Sequence, residues 1–142
     1  MEAMKHLALP VSITWLCLLS VSFVASAGTV KVETTTISTD VCSVLKNPRA
    51  FVNQVIRVRG FVYLGEDHMN IADRLCAGRG IELMIKTEAV MKHKDIHHFY
   101  VQMNRQGRHG IATITGLFQL DPDPVTPYVL NIQHVKDVVP SH

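Results

Sequence analysis

Three groups of side chains in this sequence have the types and spacing that chemistry requires. In "KHKDIHHFY", His93 and His97 stand four residues apart, the spacing by which one helical face chelates zinc or copper. In "IRVRGFVY", strict alternation puts Arg57, Arg59, Phe61 and Tyr63 on one side of a strand, with Arg79 in a following turn. Cations beside aromatics hold anionic chains while stacking planar groups. The third group is the pair Cys42 and Cys76, whose thiols could act as nucleophile, as metal ligands or as a disulfide.

Each group has a plainer reading. The His93/His97 pair lacks an H-E-x-x-H pattern and an identifiable third ligand, and Lys92 and Lys94 flank it with positive charge. A solvated helical face is therefore preferred, with metal binding the weaker alternative and no cofactor expected. The arginine–aromatic face competes with a solvated strand whose aromatics are covered by neighbouring chain. For the cysteines, a metal site wants further ligands at C-x-x-C spacing, and a nucleophile wants a positioned histidine.

The N-terminus helps to decide the third case. "MEAMKHLALPVSITWLCLLSVSFVASAG" has a short start with Lys5, an apolar stretch from Leu7 to Val24, and the small-residue run Ala25-Ser26-Ala27. This reads as a secretory signal cut before Gly28, and Pro10 and the hydroxyl residues within it disfavour the alternative of a retained anchor. Cys17 leaves with the signal. Cys42 and Cys76 remain as an even pair in an exported, periplasmic or secreted chain, where a disulfide persists. Closing that loop stabilises a domain by about 3–4 kcal/mol.

Other chemistry finds little support. Beyond the signal the serines are Ser38, Ser43 and Ser141, none in a G-x-S-x-G turn, and no phosphate-cradling glycine loop occurs. Glu66 and Asp67 are adjacent turn residues that do not converge on one bond. Asp121 and Asp123 alternate with Pro122 and Pro124, which makes a stiff turn rather than a calcium loop, and His68-Met69 supplies only two ligands. No enzyme is expected. The formal net charge is +2, and the signal removes one charge of each sign, Lys5 and Glu2, so no strong polyanion partner is implied.

The elements that must position these residues follow from periodicity. Residues 28–38, "GTVKVETTTIS", read as a flexible leader, and residues 39–142 as one domain. Thr39 or Asp40 caps a short helix with Val41, Val44 and Leu45 at helical spacing, ended by Pro48. "NQVIRVRGFVYLG" is a strand with Ile56, Val58, Gly60, Val62 and Leu64 on its inner side. "HMNIADRL" and "IELMIK" read as the second and third strands. A helix capped by Thr87 runs through "TEAVMKHKDIHHFYVQMN" and ends before Gly107 and Gly110. "GIATITGLFQL" and "YVLNIQHVKDVV" are the last two strands, so the order is α-β-β-β-α-β-β.

Gly60 and Gly116 each interrupt an alternating strand, as at a barrel corner. Five coiled strands with a helix between the third and fourth make a mainly β, five-stranded barrel of the oligonucleotide/oligosaccharide-binding (OB) type. "VCSVLKNPRAFVNQVIRVRGFV", "IADRLC" and "ATITGLF" together resemble small exported bacterial proteins with OB-like domains. In these a cysteine-bearing helix, an N-P-x-x-F step and a V-x-V-x-G strand precede a D-x-x-C turn. The resemblance spans Asp40 to Val138 and implies the OB-like fold and the Cys42–Cys76 pairing. Export is at odds with a nucleic-acid ligand. The expectation is an envelope binding or interaction module whose partner is an envelope ligand or protein, with a structural or stress protein as its rival.

Overall fold

Asp40 opens the first helix, α1 (Val41–Lys46), with its carboxylate accepting from the Ser43 amide at 2.8 Å and from the Ser43 hydroxyl at 2.6 Å. Those bonds hold the Asp40 carboxyl below its usual range. Val41 and Val44 are buried, which docks the helix, and Pro48 turns the chain through a single 3₁₀ turn, Pro48–Ala50, towards the barrel. The computed structural model describes residues 34–65, 67–76, 80–104 and 108–141. Residues 1–33, read from the sequence as a signal and the start of a leader, together with Glu66, Arg79 and Gly107, lie outside the described residues.

The described residues form six strands: β1 (Ile37–Ser38), β2 (Val55–Leu64), β3 (Met69–Ala72), β4 (Ile81–Met84), β5 (His109–Leu120) and β6 (Tyr128–Ser141). The pairings run β2–β3–β4–β6–β5 and return to β2, which closes a five-stranded barrel. Only β4–β6 is parallel within that ring. This is the OB order, with strand three beside strand five. Two short helices, α2 (Thr87–Lys92) and α3 (Lys94–Met103), lie between β4 and β5 in the chain. Among the described residues, no helix is long and apolar enough to cross a membrane.

The inner positions of β2 behave as the alternation requires: Ile56, Val58 and Val62 are fully buried. They meet Ile71, Ile81, Ile114, Phe118 and Leu130 from the other strands, and Ile96, Phe99 and Met103 of α3 join the same core. The glycines mark close approaches. A Cβ on Gly116 would run into the Asn131 carbonyl, at the point where the β5–β6 register shifts between Thr115 and Gly116. Cys42 is bonded to Cys76 with their Cα atoms 5.4 Å apart, which ties α1 to the turn after β3.

Several boundaries differ from those expected. Ile37 and Ser38, read as leader, form a strand running parallel to β2 beside Ile56 and Arg57. The second barrel strand stops at Ala72, because the Asp73 carboxylate accepts from the Leu75 amide at 2.9 Å and bends the chain. The third stops at Met84. The long helix is two helices, broken at His93, whose φ of −116° and ψ of 112° are extended. Thr87 is not a cap but sits in the first turn, with Lys86 at the cap position.

Candidate binding face

The β2–β5–β6 register lays the outward residues of β2 into lateral rows, since directly paired residues present their side chains on one face. Arg57 pairs with Thr115, which pairs with His134; Arg59 pairs with Thr113, which pairs with Lys136. Phe61 pairs with Ile111, which pairs with Val139, and Tyr63 pairs with His109. Arg57 and Arg59 are exposed, Phe61 is half-buried and Tyr63 is 37% exposed. The four side chains singled out in the sequence therefore share one outer face. Its β1 end is cationic and its other end aromatic and apolar.

Local contacts set the state of each cation. The Arg57 Nε donates to the Thr115 hydroxyl at 3.3 Å, and Arg57 has no carboxylate partner among the described residues. Arg59 donates to Thr113 at 3.3 Å and stands 3.9 Å from Asp137, a loose exposed pair that solvent screens. Asp137 is placed there by a left-handed backbone, φ 51°, at an irregularity in the β5–β6 ladder. Beside Arg57, residues Thr36, Thr115, Gln133, His134 and Lys136 line a hollow of about 370 Å³.

At the aromatic end, Phe61 and Tyr63 are stacked at 6.4 Å between ring centroids, and the His109 ring lies 5.4 Å from Phe61. The Arg74 guanidinium sits 5.8 Å from the Phe61 centroid, a cation–π contact. Gly60, Phe61, Ala72, Arg74 and Ile111 surround a second hollow of about 310 Å³. His134 and Lys136 were missed in the sequence, because only the strand register brings them to this face, and Arg74 reaches it from the turn after β3. Arg74 did carry a signal, lying in the turn before Cys76 whose place the disulfide fixes.

The opposite chemistry occupies the part of the barrel where OB domains hold oligonucleotides and oligosaccharides, the face of the second and third strands with its flanking loops. There Tyr63, Asn70, Glu82, Thr126 and Tyr128 line a hollow of about 340 Å³. His68 contacts Glu82 at 2.8 Å, and this hydrogen bond, then the Glu82 charge, raises the His68 pKa above its usual 6.5, with Asp67 and Asp123 adding to it. In the next loop, Asp121 accepts from the Asp123 amide and Asp123 from the Val125 amide, each at 2.8 Å, so these carboxylates fold a stiff turn. Carboxylates at this position repel a phosphate chain. Tyr128, in turn, stacks on Phe118 at 6.3 Å.

The histidines are redistributed by the helix break. His97 is exposed on α3, and His93, in the extended linker, does not share a helical face with it. His93 lies instead against His134, the rings edge to face at 5.8 Å. Asp95 lies beside both, and its Oδ2 accepts from the Val135 amide at 2.9 Å. Burial alone would raise the Asp95 carboxyl, but the bonds from Val135 and Ile96 and the nearby His134 hold it below its usual range.

No protein-family model matches the chain, and no curated protein matches it. Among solved structures, it is similar to OBody AM3L09 bound to hen egg-white lysozyme, with 11% identity and a TM-score of 0.48 over 63% of this chain and 85% of that one. OBody AM3L15, also bound to hen egg-white lysozyme, shows 14% identity and a TM-score of 0.44 over 61% and 81%.

Proposed function

We propose that this chain is an exported, disulfide-stapled binding module of the cell envelope that holds an elongated anionic ligand along the outer face of β2, β5 and β6. The supporting observation is Arg57. It lies at the cationic end of the face, beside the row of Arg59 and Lys136, lacks a carboxylate partner among the described residues, and shares the face with the stacked Phe61 and Tyr63. An arginine without a carboxylate partner keeps its terminal N–H donors for a ligand, and a guanidinium fork matches a carboxylate in two bonds. The apolar N-terminal segment ending in Ala25-Ser26-Ala27 supports export, as does the disulfide, which persists in oxidising compartments. Glu82 in the usual OB groove and Asp121 and Asp123 in the loop beside it favour the β2 face and speak against a nucleic-acid ligand.

The test is equilibrium binding of an acidic peptide and of an acidic glycan to the wild-type protein and to an Arg57→Ala/Arg59→Ala variant. The expected result is binding of at least one probe, weakened roughly tenfold or more in the variant, since hydrogen bonds to charged groups contribute about 1.5–3 kcal/mol each. Both arginines are exposed, so the melting temperature stays near wild type. Unchanged affinity in a folded variant would falsify the reading. A module that only scaffolds other envelope proteins would bind neither probe.

A further inference from the structure

We propose that His93, Asp95 and His134 form a site for a divalent transition metal, bridging the start of α3 to β6. Each residue offers one ligand atom, and these atoms all lie within 4.8 Å of one another. His134 Nδ1 stands 3.6 Å from Asp95 Oδ2. A tetrahedral zinc with bonds of about 2.1 Å separates its ligands by roughly 3.4 Å, so that pair already has the required bite. The remaining contraction falls on the exposed rings of His93 and His134, which turn between rotamers at small cost.

The site is built rather than incidental in one respect. Asp95 is half-buried, and the Val135 amide fixes its Oδ2 at 2.9 Å, so the oxygen beside His134 is held in place and keeps a second lone pair for a cation. That contact depends on the helix break at His93, which starts α3 afresh and places Asp95 in its first turn. Two imidazoles and one carboxylate suit zinc, copper or nickel over magnesium or calcium. The nearby cations weigh against tight binding. Lys92 is drawn to Glu88 at 3.9 Å, whereas Lys94 and Lys136 are exposed and keep their ammonium groups in water. Three protein ligands leave a coordination position open, and His134 stands in the lateral row of Thr115 and Arg57, so that position borders the basic face.

The experiment is titration of the protein with zinc alone, followed by histidine side-chain NMR signals and by calorimetry. The expected result is a saturable one-to-one event that moves His93 and His134 signals. Asp95→Asn and His134→Ala should each weaken it at least tenfold, and His97→Ala should leave it unchanged. Because Asp95 also holds the Val135 amide, His93→Ala serves as the variant that spares the fold, and it too should lose at least tenfold. The proposal is overturned if zinc moves His97 and His98 instead, or if His93→Ala and His134→Ala bind zinc as wild type does. Arg57→Ala, which tests the anionic ligand, should not lower zinc affinity.

Discussion

Gly60 faces the main chain of Ala72 so closely that a Cβ would stand 2.7 Å from the Ala72 carbonyl oxygen and 2.8 Å from Ile71. β2 passes here from pairing with β5 alone to pairing with β3 as well. Gly60→Ala should therefore destabilise by about 1–3 kcal/mol, the usual range for overpacking. Gly65 is the control. Its nearest neighbour would be 3.5 Å from a Cβ, so Gly65→Ala should be neutral or stabilise by up to about 1 kcal/mol through the unfolded chain. Urea unfolding of both variants checks the pair, and equal losses would contradict it.

The bond between Cys42 and Cys76 closes a sequence separation of 34. Replacing both cysteines with serine should lower stability by about 3–4 kcal/mol if the loop entropy of the unfolded chain dominates. Denaturant midpoints of oxidised wild type and the double serine variant give this directly. Two titratable thiols in the untreated, denatured protein would remove its premise.

Phe99 is fully buried against the barrel from α3. Phe99→Ala should cost about 3–5 kcal/mol, as for other large core truncations. Tyr100, 37% exposed on the same helix, should tolerate alanine with a much smaller loss in the same unfolding assay.

His68 titrates above 6.5 because of its hydrogen bond to Glu82 and the charge of that carboxylate. Its folded pKa is raised, so the stabilisation from this pair is complete below the unfolded value of 6.5 and is lost as pH rises through the folded value. An NMR titration should give His68 a midpoint above 6.5, and Glu82→Gln should bring it back down. A midpoint at or below 6.5 in the wild type would contradict the contact.

If the N-terminal segment is an export signal, the protein recovered from the envelope starts at Gly28. It then lacks tryptophan emission, because Trp15 is the one tryptophan in the sequence. Mass spectrometry of the exported protein decides, and an intact Met1 terminus would contradict the cleavage.

Much of the barrel was legible because period-two burial is strong in β2 and β5, where Ile56, Val58, Ile114 and Phe118 alternate with outward residues and are fully buried. The Asp40 cap, Pro48 and the cysteine pair are local signals of the same kind. The break at His93 left no such trace. Val90, Met91, Ile96 and Phe99 fit one helix as well as two, and the break is coupled to Asp95 reaching Val135, 40 residues away in sequence. The candidate face was half legible for the same reason. Alternation put Arg57, Arg59, Phe61 and Tyr63 together, but Lys136 and His134 arrive through register, and alternation carries no register.

The measurement that tests the binding face most directly is an amide NMR titration of the protein with an acidic peptide and, separately, an acidic glycan. Shifts should concentrate at Arg57, Arg59, Phe61 and Tyr63 and at the row partners Thr113 and Thr115. Shifts confined to the hollow around Asn70, Glu82 and Tyr128, or silence with both probes, would contradict it.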